Sequence, residues 1–378
     1  MRTLLVDPFF TGSHQAWAQG YQRFSHLRVR LATLPGRHWK WRMFGGAVNL
    51  AQQYAEEKWD PDLILATDML DLTTFLALTR PHSARTPVAL YFHENQITYP
   101  WSPTDDDPRL ERNHQYGFLN YTSALAADAV LFNSHFHHTS FLEALPEFLR
   151  QYPDRRNMEN IERIVLKSQV LPLGLDLRHF DDHYVTAEAG HPPVVLWTHR
   201  WEYDKDPDSF FRLLFRLQDE GIDFRLVVLG TSYGASPPIF EEARERLRDR
   251  IDHWGYATSA AEYARWLWRA DLLPVTSRQD FFGISVVEAI HCNCLPLLPQ
   301  RLAYPEHVPP KRFPECFYET EEELYAKLKK NLQHPATLRQ LSPLRELVSR
   351  YDWRNLASVY DDLFMRLWMQ KGIPLRPG

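Results

Sequence analysis

Cysteine is scarce, with 3 in 378 residues. That excludes a scaffold held together by disulfides. Long apolar runs are also missing. Nothing approaches the roughly 18 consecutive apolar residues of a membrane span. Asp7 cuts the opening Leu4-Leu5-Val6 run too short for a secretory core. A soluble, reducing, cytoplasmic setting is therefore expected. In that setting Asn120-Tyr121-Thr122 is a chance triplet and not a glycosylation acceptor. Positive excess is lacking too: 43 Lys plus Arg against 48 Asp plus Glu give a formal charge of −5. Bulk charge alone would not draw this chain to nucleic acid, although a local basic patch is compatible with the total.

What the chain does have is the composition of a globular protein, 44% apolar and 24% charged. Its length favours two domains. Aromatic residues reach 13%, and some Trp sit among charges, where a core role is less natural. Thr3–Val6, Leu63–Ala66, Val88–Phe92 and Ala129–Phe132 read as short buried strands, and Leu27–Leu31 reads as another strand. A loop carrying Gly12-Ser13-His14 follows the first, and a helix is expected over Gln15–Phe24. The pattern restarts after a polar stretch ending at Gly190. Strands are expected at Val194–Trp197, Phe224–Leu229, Leu272–Thr276 and Leu295–Leu298. Helices are expected at Pro207–Gln218, Ile239–Arg250, Ser259–Ala270 and Ile284–His291. Strands of this kind alternating with helices predict parallel sheets covered on both faces. The fold class is thus α/β, two Rossmann-like doubly wound domains joined near residues 174–191. Ligands of such sheets bind beyond the carboxyl ends of strands, and the cleft between two such domains is the expected site.

Four segments at strand ends carry chemistry. Asp280 and Glu288 stand eight positions apart, with Gly283 opening a helix between them. A helix amino end faces anions well, and acids nearby suit the hydroxyls of a sugar or ribose. His199-Arg200-Trp201-Glu202-Tyr203-Asp204-Lys205 follows a strand directly. Arg200 offers a planar fork and Lys205 a point charge, a suitable pair for a diphosphate. His93 ends the run Tyr91-Phe92-His93-Glu94. Gly12 precedes a helix where a ligand could approach closely. Each segment also has a plainer reading, as a helix cap, a solvated loop or a hydrogen-bonded histidine.

Together, Arg200 with Lys205, Asp280 with Glu288, His93 and the Leu171-Pro172-Leu173-Gly174-Leu175-Asp176 hinge resemble the retaining GT-B glycosyltransferases of family four. The longer strings Pro8 to His14, Tyr91 to Gln96, His199 to Pro207 and His253-Trp254-Gly255-Tyr256 resemble the tRNA-queuosine α-mannosyltransferase branch of that family. The resemblance implies the GT-B fold and a GDP-mannose donor. Residues 1–176 would be the acceptor (tRNA) domain and 177–350 the donor domain, with a helix in 351–378 packing back toward the first. Arg200 and Lys205 would hold the diphosphate, Glu288 the ribose and Asp280 the sugar hydroxyls. His93 would lie near the anomeric carbon. Gly12, Ser13 and His14 would abut the phosphates, as would Phe282 and Gly283. Gly230, Trp254, Gly255 and Tyr256 would lie by the base. Asp280 departs from the wider family, which commonly has Glu there. These enzymes typically need no metal or other cofactor. His135-Phe136-His137-His138 alternates awkwardly for a ligand face, and no metal is expected.

Arg37, Trp39, Lys40, Trp41 and Arg42 interleave cations with indoles, the segment best suited to single-stranded RNA with splayed bases. The expected activity is transfer of mannose from GDP-mannose to the queuosine base of a tRNA, with retention. Queuosine-containing tRNA and the nucleotide sugar are the expected partners, with no membrane and no protein partner. A glycosyltransferase for a small metabolite, lipid or polysaccharide, a nucleotide-sugar epimerase, and a tRNA-binding module without chemistry are the alternatives.

Overall fold

Among the described residues twelve strands form, several of them where the chain is continuously apolar, and they divide evenly between two sheets. The structure, a computed structural model, describes all residues except 58, 187–190, 232–235, 336, 337, 339–342 and 373–378. The polar stretch ending at Gly190 therefore lies partly outside the described residues. Two compact units result. One is Met1–Leu175 together with the segment from Trp353 onward, and the other is Asp176–Asp352.

In the first unit, β1 (Arg2–Phe10), β2 (Arg28–Pro35), β3 (Leu63–Thr67), β4 (Val88–Phe92), β5 (Ala129–Phe132) and β6 (Ser168–Val170) pair in parallel in the order β2-β1-β3-β4-β5-β6. The connecting helices are α1 (Gly12–Phe24), α2 (Trp39–Glu56), α3 (Leu72–Ser83), α4 (His114–Ala126), α5 (His135–Arg150) and α6 (Asn160–Val165). Every residue of β3, β4 and β5 is buried, which is why their sequences do not alternate. The first helix starts earlier than expected. Gly12, Ser13 and His14 belong to its first turn, because Gly12 takes φ +50° and turns the chain directly off β1. Ser134 caps α5 by accepting from the His137 N–H, and Asn120 is fully buried, bonded to Gln96 and Asp68.

The second unit contains β7 (Val194–Thr198), β8 (Arg225–Leu229), β9 (Ile251–Gly255), β10 (Leu272–Pro274), β11 (Leu295–Pro299) and β12 (Phe317–Tyr318), in the order β12-β11-β10-β7-β8-β9. Its helices are α7 (Pro207–Asp219), α8 (Ile239–Arg246), α9 (Ala260–Arg269), α10 (Ile284–His291), α11 (Tyr304–His307), α12 (Glu321–Gln333) and α13 (Leu344–Val348). Pro207 stands at the first position of α7, where its missing N–H costs nothing, and Asp206 caps the helix. Phe210, Phe211, Leu214 and Leu217 bury the inner face of α7 against β7 and β8. Trp254 and Gly255 lie within β9, and Tyr256 directly follows it.

The last helix, α14 (Trp353–Gln370), belongs to the first unit. Trp353 lies so close to Gly20 and Gly174 that a Cβ on either would come within 2.5 Å of its ring. Buried Asp361 accepts from the Tyr21 and Ser25 hydroxyls and from the His26 N–H. Tyr360 donates to the Pro172 carbonyl and receives the Trp17 indole N–H.

Candidate active site

The order of strands decides where each site forms. In the second unit β7 has β10 on one side and β8 on the other, so the loops leaving β7 and β10 diverge and open a crevice. Lys205 and Asp280 come from those two loops. The buried Lys205 Nζ lies 3.2 Å from Asp280 Oδ1, 3.1 Å from Asp204 Oδ2 and 2.6 Å from the Gln279 carbonyl. Three acceptors thus meet the three N–H groups of one ammonium. The other Asp280 oxygen accepts from the Tyr304 hydroxyl at 2.7 Å. Burial opposes ionisation of Asp280, but Lys205, His199 and Tyr304 outweigh it and hold the carboxyl below its ordinary range.

Gly283, at φ +86°, starts α10 and rests on the ring of Tyr304. His307 donates to the Phe282 carbonyl and also contacts the Tyr351 hydroxyl, at 3.0 Å. Helix α11 thereby braces the whole Asp280–Gly283 turn through Tyr304 and His307. Glu288, further along α10, accepts from Tyr263 at 2.7 Å, and Tyr263 lies 3.1 Å from the Thr198 hydroxyl. Burial pushes Glu288 up to about 7, against the pull of Tyr263. Buried His199 contacts Ser285 through Nδ1 at 3.2 Å, and its Nε2 has no hydrogen-bond partner. Burial lowers its pKa to about 4, so the ring is neutral. Arg200, the next residue, is exposed.

Gly230 has a packing reason to be glycine: at φ +108°, a Cβ would fall 2.3 Å from the His199 carbonyl oxygen. Trp254 belongs to an aromatic cluster with Trp201, Phe211 and Phe240. Gly255 has open space above it, and Tyr256 is 74% exposed.

The first unit has its own switch, with β1 between β2 and β3. His14 sits above it with Nδ1 3.1 Å from Asp7 Oδ2. Its ring stacks on that of His93, centroids 4.0 Å apart. The edge of Trp17 and the ring of Tyr91 complete the surroundings of His93. The His93 N–H donates to Asp68 at 2.8 Å, and its carbonyl accepts from Asn133. Burial penalises a charge on His14, yet Asp7, then Asp68 and Glu94, raise its pKa to about 9. Burial and the His14 charge hold His93 well below the ordinary imidazole range. Gly12 and Ser13 are exposed at the rim, with nothing within 4 Å of where a Gly12 Cβ would be.

The basic-aromatic segment is split by folding. Trp39 packs with Trp101 and Tyr116. Lys40 is clamped by Asp105 at 2.7 Å and Asp107 at 2.5 Å. The charge of Lys40 is thereby already answered by these two acids. Trp41 is 61% exposed, Arg37 is exposed, and Arg42 is tied to the Pro35 carbonyl. Among the described residues no group of three or more His, Cys, Asp or Glu could hold a metal ion.

Residues 2–175 match the family described as tRNA-queuosine alpha-mannosyltransferase N-terminal, and residues 180–342 match Glycosyl transferases group 1. The chain is 32% identical over 372 residues to the tRNA-queuosine alpha-mannosyltransferase of Drosophila melanogaster, and the alignment covers 96% of each protein. The chain belongs to the tRNA-queuosine α-mannosyltransferase family. A shorter match, 31% over 137 residues, joins it to the D-inositol 3-phosphate glycosyltransferase of Segniliparus rotundus, covering 34% of this chain and 30% of that one. Among solved structures, sucrose-phosphate synthase from Thermosynechococcus elongatus superposes with a TM-score of 0.68 at 14% identity, covering 98% of this chain and 100% of that one. The UDP-forming trehalose-phosphate synthase of Burkholderia xenovorans gives 0.66 at 14%, covering 99% and 100%. These neighbours show the GT-B fold for this family member.

Several residues of the site escape sequence reasoning. Tyr263, Tyr304 and His307 stand on elements remote in the chain from the acids and carbonyl they contact. Asp7 and Asp68 did leave a signal, since one is an acid inside a buried strand and the other directly follows one.

Proposed function

We propose that the protein transfers mannose from GDP-mannose to the queuosine base of a tRNA, with retention of anomeric configuration. The observation that carries this reading is the near end-to-end match to the Drosophila enzyme, including the first 175 residues. The site geometry supports it. Arg200 and Lys205 hold the diphosphate, Glu288 accepts from the ribose hydroxyls and Asp280 from those of mannose. The amino end of α10, opened at Gly283, adds backbone N–H groups. His93 lies beside the reacting carbon. Trp41 and Arg37 contact the RNA.

The bond from the anomeric carbon to the β-phosphate oxygen breaks as an acceptor hydroxyl attacks the same face. The departing phosphate oxygen takes the hydroxyl proton, and GDP leaves. Negative charge grows on the diphosphate in that step, so contacts with Arg200 and Lys205 strengthen toward the transition state. Side-chain cations answer that charge, and the reading assigns no metal or cofactor.

The test is incubation with GDP-mannose labelled in the sugar, with queuosine-containing and queuosine-free tRNA in parallel. Label in the queuosine-containing tRNA alone is the expected result. Label in both, or in neither, would refute the acceptor.

A further inference from the structure

The pair formed by Asp7 and His14 has no part in the reaction outlined above, yet it is among the most completely built polar groups of the first unit. Asp7 is fully buried within β1, three residues before its end. One of its oxygens accepts from the Phe9 N–H at 2.8 Å and lies 3.3 Å from the Thr67 hydroxyl. The other lies 3.1 Å from His14 Nδ1. The carboxylate is thus fixed by its own strand and by β3, and it fixes His14 in turn. Phe9 meets the His14 ring edge-on, centroids 6.1 Å apart. The remaining face of His14 lies flat against His93.

The His93 backbone is held by Asp68 and Asn133, and its ring is packed by His14, Trp17 and Tyr91. Ring Nε2 is buried and has no hydrogen-bond partner. A buried polar atom without a partner is costly, and such atoms concentrate where a ligand completes them.

We propose that Asp7 and His14 are positioning residues for His93: the pair holds the second imidazole in one orientation, uncharged, with Nε2 left for the substrate. This rests on the reading under which His93 meets the reacting groups. The charge pattern follows from the stack. Two imidazolium rings face to face at this distance repel, so one proton excludes the other. Asp7 on β1, Asp68 after β3 and Glu94 after β4 bias that proton toward His14, while His137 on α5 adds to the bias against His93. A neutral His93 can hydrogen-bond a sugar or acceptor hydroxyl without itself attracting a phosphate.

The test uses His14→Gln, which removes the charge and the flat ring, and Asp7→Asn, which removes the anchor at nearly constant volume. His93 is followed by NMR of ring-labelled histidines, its resonance assigned by loss in His93→Gln. In both variants His93 is expected to protonate at higher pH than in the wild type. With transfer as the second readout, kcat falls on the order of tenfold to a hundredfold while KM for either substrate stays nearly constant. A folded variant with unmoved His93 titration, or with wild-type kcat, overturns the proposal. Should one variant fail to fold, the other decides. The titration needs no substrate. A wild type that transfers nothing would therefore sink the assigned reaction, and the His93 titration would still judge the pairing.

Discussion

Lys205 and Asp280, expected on different parts of the donor, are bound to each other, Nζ to Oδ1 at 3.2 Å. Every N–H of the ammonium already has an acceptor, so a diphosphate reaching Lys205 displaces one of them. Asp280 is the natural one to yield, since the same carboxylate then becomes an acceptor for sugar hydroxyls. Lys205→Ala takes the shared cation from two carboxylates, Asp204 and Asp280, an effect worth about 3 kcal/mol. Thermal unfolding should show that loss, and activity should disappear. In Lys205→Ala with Asp280→Asn part of the stability should return while activity does not. Additive stability losses would contradict the coupling.

Under the proposed function, Glu288 makes donor binding depend on pH. A ribose hydroxyl would need the ionised carboxylate, and burial pushes that ionisation up to about 7. GDP affinity should therefore weaken as pH falls below this point, approaching about tenfold per pH unit if the interaction is lost entirely. The hydrogen bond from Tyr263 favours the ionised form, so Tyr263→Phe should move the midpoint upward. Calorimetric titration of GDP across this range checks both. Affinity independent of pH would remove Glu288 from the ribose.

The two Trp residues of the basic segment should separate cleanly. Trp41→Ala leaves the core intact and should change stability by less than about 0.5 kcal/mol. It should weaken tRNA binding by roughly 1–3 kcal/mol, the worth of one base stacked on an aromatic ring. Trp39→Ala opens the cluster with Trp101 and Tyr116 and should cost roughly 1–3 kcal/mol of stability, less than for a fully buried Trp. Filter binding and thermal unfolding distinguish them. Equal tRNA affinity in Trp41→Ala and wild type would take the residue out of the interface.

The attachment of α14 depends on two glycines. A Cβ at Gly20 would fall 2.0 Å from the Trp353 indole nitrogen, and one at Gly174 would fall 2.5 Å from its ring. Gly20→Ala should cost at least roughly 1–3 kcal/mol by overpacking. Hydrogen exchange should locate the loss in α14 and the carboxyl-terminal half of α1. Unchanged protection there would contradict the packing.

The strands were legible because a strand buried on both faces is apolar along most of its length, as Leu63–Ala66 is. The turn from Asp280 to Gly283 was legible as a loop that follows a strand and opens a helix, since Gly283 takes the positive φ that glycine permits. What was not legible depends on distance in the chain. Nothing near Lys40 announces Asp105 and Asp107, so its charge looked available for phosphate. Nothing near Asp280 announces Tyr304. His14 was placed in a loop because Gly12 read as a break, whereas its positive φ lets the helix begin at once.

The most direct measurement is complete nucleoside digestion of queuosine-containing tRNA after reaction with GDP-mannose, followed by chromatography, mass spectrometry and NMR of the anomeric proton. The account predicts queuosine converted to its mannosyl form with the sugar in α linkage, and every other nucleoside unchanged. Unmodified queuosine, mannose on another nucleoside, or a β linkage would contradict it.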